Sequence, residues 1–206
     1  MVEIKNRLFY KTVKDEFSNE IEKIKGSRFI AYIYHVESKK DVEDKILLLK
    51  KKYYDARHHC YAYSIGRDEG KITKYNDDGE PSQTAGAPIF SVLNSYDITD
   101  VLIVVIRYFG GVKLGKGGLI RAYTNATKEL LEISKVSEID INEIISVKFS
   151  YDFTQQIFHF ISLYSAKIIK QDYNNDIVFE ISLNSAFVED FKNDLIEKSN
   201  GKIIFI

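Results

Sequence analysis

Apolar and polar positions along this chain switch repeatedly between a period of two and a period of about 3.6, the signatures of strand and helix. Ser18–Lys25, Arg28–Val36, His58–Gly66 and the short Lys71–Tyr75 predict strands, with a helix over Lys39–Lys52. Val101–Tyr108 (VLIVVIRY) is apolar on both faces, which predicts a central strand. A loop runs across Asn76–Ala85, and Pro88 suits the first turn of a helix over Gly86–Asn94. In the helix predicted over Gly118–Ser134, Leu119, Tyr123, Ala126, Leu130 and Ile133 mark a buried stripe. Arg121, Asn125, Lys128 and Glu132 fall on a different face.

The remainder has its own order. Ile145–Tyr151 alternates as a strand and Phe153–Tyr164 is an amphipathic helix. Strands at Ala166–Asp172 and Asp176–Leu183 are separated by Tyr173-Asn174-Asn175, a turn-favouring stretch. Ser185–Lys198 is a helix stopped by Asn200-Gly201, and Lys202–Ile206 is a last strand. The order βαββαβ is the ferredoxin-like pattern. A charged connector at Ser137–Ile145 precedes it, so the chain reads as two α+β domains, residues 1–142 and 143–206.

Composition narrows the class. With 206 residues, 45% hydrophobic and 13% aromatic, the chain can build real cores. Its single Cys forbids an intrachain disulfide and suits a reducing compartment. The N-terminus mixes both charges without a long apolar run, so it does not read as a secretory signal. No uncharged apolar run approaches the roughly 20 residues of a membrane span. The expected address is the cytoplasm, with no membrane partner.

Net charge is −1, yet Val101–Lys128 holds Arg107, Lys113, Lys116, Arg121 and Lys128 and no Asp or Glu. Acids outnumber bases beyond residue 146, so an anion-binding face belongs in the first domain. Within the basic segment, Gly110-Gly111-Val112-Lys113-Leu114-Gly115-Lys116-Gly117 fits the start of a phosphate-cradling P-loop. Gly117 stands where that motif requires a magnesium-binding hydroxyl, which argues against an NTPase. What remains is an anion site: Lys113 and Lys116 meeting phosphate, Arg107 and Arg121 flanking, and the amides of Gly110, Gly111, Gly117 and Gly118 adding donors. A tight turn with merely solvated lysines is the plainer alternative.

Two further segments are rich in functional residue types: Asp55–Tyr63 and Tyr75–Pro88. Arg57, His58, His59, Asp78, Glu80 and Ser82 form a polar set with no assigned role. A Cys60–His58 dyad is unattractive, because residues two apart on a strand are separated by roughly 6.6 Å of rise. No spacing supports a metal site from the histidines with Asp77, Asp78 and Glu80. No metal, cofactor or catalytic residue is therefore assigned.

Ala56–Tyr63 (ARHHCYAY), Asp78-Gly79-Glu80-Pro81-Ser82 with Thr84-Ala85-Gly86, and Val105–Gly111 (VIRYFGG) with Lys113-Leu114-Gly115 and Gly118-Leu119 together resemble the YigZ/IMPACT family. The chain departs from that pattern at Gln83, where a small residue, usually Gly, is expected. The resemblance implies a first domain with the fold shared by a ribosomal small-subunit protein, GHMP kinases and domain IV of elongation factor G. It implies a ferredoxin-like second domain similar to domain V of that factor. Eukaryotic relatives restrain a translation-initiation kinase through an additional N-terminal domain not read in this sequence, so that partner is not carried over. The expected function is a non-enzymatic regulator of translation that binds RNA or the ribosome, with a protein partner in translation control as a further possibility. Tyr61, Tyr63, Tyr108 and Phe109 are candidates for base stacking. The alternatives are an enzyme acting on a small phosphorylated substrate, with His58 and Glu80 as acid–base groups, and a protein-interaction adaptor.

Overall fold

The computed structural model describes residues 8–173 and 176–206, so Asn174 and Asn175 of the turn expected between two strands lie outside the described residues. The chain divides into two compact units: Lys11–Glu138, and Ile139–Ile206 together with residues 8–10. β1 (Phe9–Val13) and β7 (Val136–Asp140) form a two-stranded sheet. Neither strand is prominent in the sequence, since five-residue segments with half-exposed positions lack an apolar run.

The first unit is built on a five-stranded sheet in the order β2-β3-β6-β4-β5. These strands are β2 (Phe17–Glu20), β3 (Arg28–His35), β4 (His58–Ile65), β5 (Ile72–Asn76) and β6 (Val101–Tyr108). β6 is the middle strand, antiparallel to both neighbours, and its alternate residues enter two cores. Val101, Ile103 and Val105 pack with α2 (Gly86–Ser95) and α3 (Gly115–Ile133). Leu102, Val104 and Ile106 pack against α1 (Lys39–Lys52). α1 is fixed at its start by a capping box, the Ser38 hydroxyl accepting from the Asp41 amide while Asp41 accepts from the Ser38 amide.

Within the first unit, two boundaries shift by three residues or more from the sequence reading. β2 ends at Glu20, because Lys25 and Gly26 take positive φ and turn the chain back at Ser27. α3 begins at Gly115, three residues before the expected start, so Gly117 and Gly118 lie inside its first turn. At its other end Ile133 is 51% exposed, and Leu131 carries the stripe into the core instead.

The second unit contains β8 (Asn142–Phe149), α4 (Thr154–Leu163), β9 (Lys167–Tyr173), β10 (Ile177–Asn184), α5 (Val188–Ser199) and β11 (Ile204–Phe205). Its sheet has the order β11-β8-β10-β9 and is antiparallel throughout. β10 alternates strictly between buried and half-buried residues. Its buried row packs with Ile157, Phe160, Phe191 and Leu195 of the two helices. α5 stops at Asn200 (φ 51°) and Gly201 (φ 75°), a left-handed terminus.

Two core clusters lie between Val13 and Leu131, and the third between Ile145 and Phe205. A fragment of residues 1–142 is accordingly expected to give its own cooperative thermal transition by calorimetry. A molten fragment beside a stable full chain would overturn that division.

Candidate functional site

Arg107 ends the row of β6 side chains that faces α2 and α3. In register it lies between Phe29 of β3 and His58 of β4. Its side chain is only 6% exposed, and Nη1 donates to Glu80 Oε1 at 2.7 Å. A buried pair of this kind persists only where further hydrogen bonds satisfy both ions. Here the Tyr123 hydroxyl donates to the same Glu80 oxygen at 2.9 Å, and Arg107 Nη2 donates to Ser27 Oγ at 3.3 Å. Burial holds the Tyr123 phenol well above its ordinary pKa, so it stays a donor. The guanidinium also lies 5.6 Å from each of two ring centroids, Phe29 and Phe109. Nε is the one guanidinium nitrogen with no hydrogen-bond partner among the described residues.

The loop that supplies Glu80 is held by two aspartates. Asp77 Oδ1 accepts from the amides of Ala85 and Gly86, and Oδ2 from that of Gln83. It therefore closes the N-terminus of α2, whose own cap residue, Ala85, has no side chain to do so. Asp78 Oδ2 accepts from the His59 amide at 2.7 Å, and its carbonyl accepts from His58 Nδ1 at 2.8 Å. His58 Nε2 then stands 4.0 Å from Glu80 Oε1. Cys60 lies in the core, its Sγ 2.9 Å from the Asp77 carbonyl, and burial pushes its thiol pKa up. His59 is buried on the α1 side, its imidazole pKa lowered by desolvation. Arg57 and Ser82 are exposed. Among the described residues no three His, Cys, Asp or Glu side chains converge as a metal site.

Position 83 has a conformational explanation. Gln83 sits at φ 62°, the left-handed region where glycine is at ease. The chain thus keeps a glycine-type backbone without the glycine.

The glycine loop approaches the sheet at Gly110. A Cβ there would lie 1.9 Å from Gly26 C and 2.1 Å from Ser27 N, so backbone packs directly on backbone. Ser27 Oγ accepts from the Gly110 amide at 3.2 Å, joining this contact to the Arg107 pair. Gly111 (φ 87°) and Gly115 (φ 72°) bracket Val112-Lys113-Leu114, and a Cβ on either would meet nothing within 4 Å. α3 starts here with no side-chain cap and no acid in its first turn.

Between the glycine loop and the Glu80 loop lies a cavity of about 370 Å³. Glu80, Arg107, Phe109, Lys113, Gly115 and Lys116 form its polar and aromatic walls. Pro81, Leu114 and Leu119 supply the apolar remainder. Lys113 and Lys116 are exposed, whereas Arg107 is buried and paired rather than flanking a loop in solvent. Arg121 does not join the two lysines. It lines a separate cavity of about 220 Å³ with Lys25 and Asn125, which shares only Leu114 with the first. Gly117 and Gly118 belong to the helix rather than the loop. Of the aromatic candidates, Phe109 is 46% exposed while Tyr63 is buried and stacked on Tyr61. Sequence reasoning gave Ser27 no role, weighed Asp77 only as a metal ligand and read Tyr123 only as part of the buried stripe. Tyr123 carries a polar tip within an apolar stripe, and Asp77 is an acceptor in the loop leading to a helix that has no side-chain cap of its own; these were the available signals.

The model of the Impact N-terminal domain matches residues 25–131, and that of a domain of unknown function (DUF1949) matches residues 147–202. The chain belongs to the IMPACT family. Among its IMPACT relatives, the family member YvyE of Bacillus subtilis is 36% identical, covering 94% of this chain and 88% of that one. A family member of Haemophilus influenzae is 33% identical over 89% of each chain. YigZ of Escherichia coli is 30% identical, covering 89% of this IMPACT chain and 90% of its own. A solved structure described as that of a hypothetical protein is 28% identical, covers 96% of both chains and superposes with a TM-score of 0.66. Among the described residues, no helix of this IMPACT protein is long and apolar enough to cross a membrane.

The buried pair should dominate local stability. Arg107→Met leaves Glu80 buried without its partner and is expected to cost about 3–5 kcal/mol in denaturant unfolding. The double change Arg107→Met with Glu80→Met should recover most of that loss. Gln83→Gly relieves a left-handed residue and is expected to be neutral or to stabilise by up to about 1 kcal/mol, read from the same unfolding curves. Clear destabilisation by Gln83→Gly would contradict the conformational explanation.

Proposed function

We propose that this protein is a cytoplasmic, non-enzymatic regulator of translation that contacts RNA, free or within the ribosome, at the N-terminus of α3. The observation that carries the reading is local: exposed Lys113 and Lys116 stand together at an uncapped helix start, in a segment without a single acid from Val101 to Lys128. The amides of Gly115, Lys116 and Gly117 offer neutral donors and a partial positive charge to the same phosphates. Arg121 and Lys25 extend the basic surface at the second cavity. Family membership supports a role in translation control, which the resemblance implies. The antiparallel order β11-β8-β10-β9 supports a ferredoxin-like second domain, and the implied kinship of both domains with those of elongation factor G supports a ribosomal target.

An enzyme acting on a small phosphorylated substrate is the second reading, favoured by the lysines that line the first cavity beside Glu80. The acid–base pair it needs is compromised. Glu80 Oε1 already accepts from Arg107 and Tyr123, and His58 Nδ1 is committed to the Asp78 carbonyl. We therefore place it behind RNA binding.

On a mixed-sequence RNA pool, the double variant Lys113→Ala with Lys116→Ala is expected to weaken binding by fluorescence anisotropy. Its log–log salt slope should fall by roughly 1.4, two single-strand phosphates' share, and Arg121→Ala should remove about 0.7. Unchanged affinity in a variant with a native melting curve would remove the RNA assignment.

A further inference from the structure

The 370 Å³ cavity is more selective than a basic surface needs to be. Its floor is the Glu80–Arg107 pair, a carboxylate and a guanidinium that cancel in charge. Lys113 and Lys116 then leave the walls with two net positive charges, to which the helix start adds roughly half a charge. An internal phosphodiester carries one negative charge. A phosphate monoester carries roughly 1.5 to 2 near neutral pH, which balances the site far better.

Two further observations point the same way. Arg107 lines the cavity with its side chain held by Glu80 on one side and Ser27 on the other, so the floor beneath a ligand is fixed in place. The cavity is also lined on one side by Phe109, Leu114, Leu119 and Pro81, a surface suited to a flat apolar ring. Its volume of about 370 Å³ suits one small ligand.

We infer that this cavity is a phosphomonoester site for a single terminal nucleotide, its phosphate held by Lys113, Lys116 and the α3 amides and its base packed against Phe109. The inference rests on the proposed RNA binding only for the source of that nucleotide, an RNA end rather than a free mononucleotide. Recognition of an end makes the protein a reader of cleaved or processed RNA, since intact internal strand offers no monoester.

The full-length protein is titrated with matched RNA oligonucleotides carrying a 5′-phosphate, a 3′-phosphate or hydroxyls at both ends, and separately with AMP, UMP and inorganic phosphate. One phosphorylated end is expected to bind about tenfold more tightly than the hydroxyl-ended oligonucleotide, the effect of one added set of charge-assisted hydrogen bonds. That preference should vanish in Lys113→Gln with Lys116→Gln, two exposed changes whose fold is checked by melting. Phe109→Ala should weaken AMP and UMP while leaving inorganic phosphate unchanged. Equal binding of phosphorylated and hydroxyl-ended RNA overturns the inference and leaves RNA binding intact. Mononucleotide binding without any oligonucleotide binding supports the site and overturns the RNA reading. No binding of any probe overturns both.

Discussion

The ion pair between Glu80 and Arg107 is the constraint around which the first unit is organised. Two charges buried at this depth would each cost several kcal/mol without full compensation. Compensation comes from four distant segments: the β2–β3 turn through Ser27, the loop before α2 through Glu80, the end of β6, and α3 through Tyr123. Each partner is useful only if the others are in place, so the pair sets the position of all four together. The candidate cavity lies beside this pair, lined by Glu80, Arg107, the glycine loop and the start of α3.

That arrangement also separates two kinds of positive charge. Arg107 is a structural cation whose field is largely spent on Glu80, whereas Lys113 and Lys116 keep theirs for solvent or a ligand. A basic cluster in sequence is thereby divided in space, with Arg121 turned to another cavity beside Lys25. Linear proximity on α3 was a poor guide, because five residues along a helix rotate a side chain well over one full turn.

Much of the fold was legible because long apolar runs and clean periodicities admit one interpretation. β6 read as a central strand from its apolar residues on both faces, and the order of elements from β8 to β11 followed from alternation and turn residues. What escaped were features decided by tertiary context. β1 and β7 are short and half-exposed, so pattern alone could not raise them above their charged surroundings. The start of α3 was misplaced because a Gly115-Lys116-Gly117-Gly118 run reads as loop, although backbone hydrogen bonds carry it as helix. The candidate site was visible as a set of residue types, yet their pairing was not. No local rule links Glu80 to an arginine on a strand separated from it by α2.

The contact between Gly26 and Gly110 divides the glycine loop into parts with different mechanical characters. At Gly110 the chain is clamped, because no side chain could be inserted without pushing two backbones apart. Beyond it, Gly111 and Gly115 stand in open space on either side of Lys113, like the two pins of a latch. A side chain added at Gly110 would therefore collide with a second backbone, whereas one added at Gly111 or Gly115 would meet only the strain of its own positive φ.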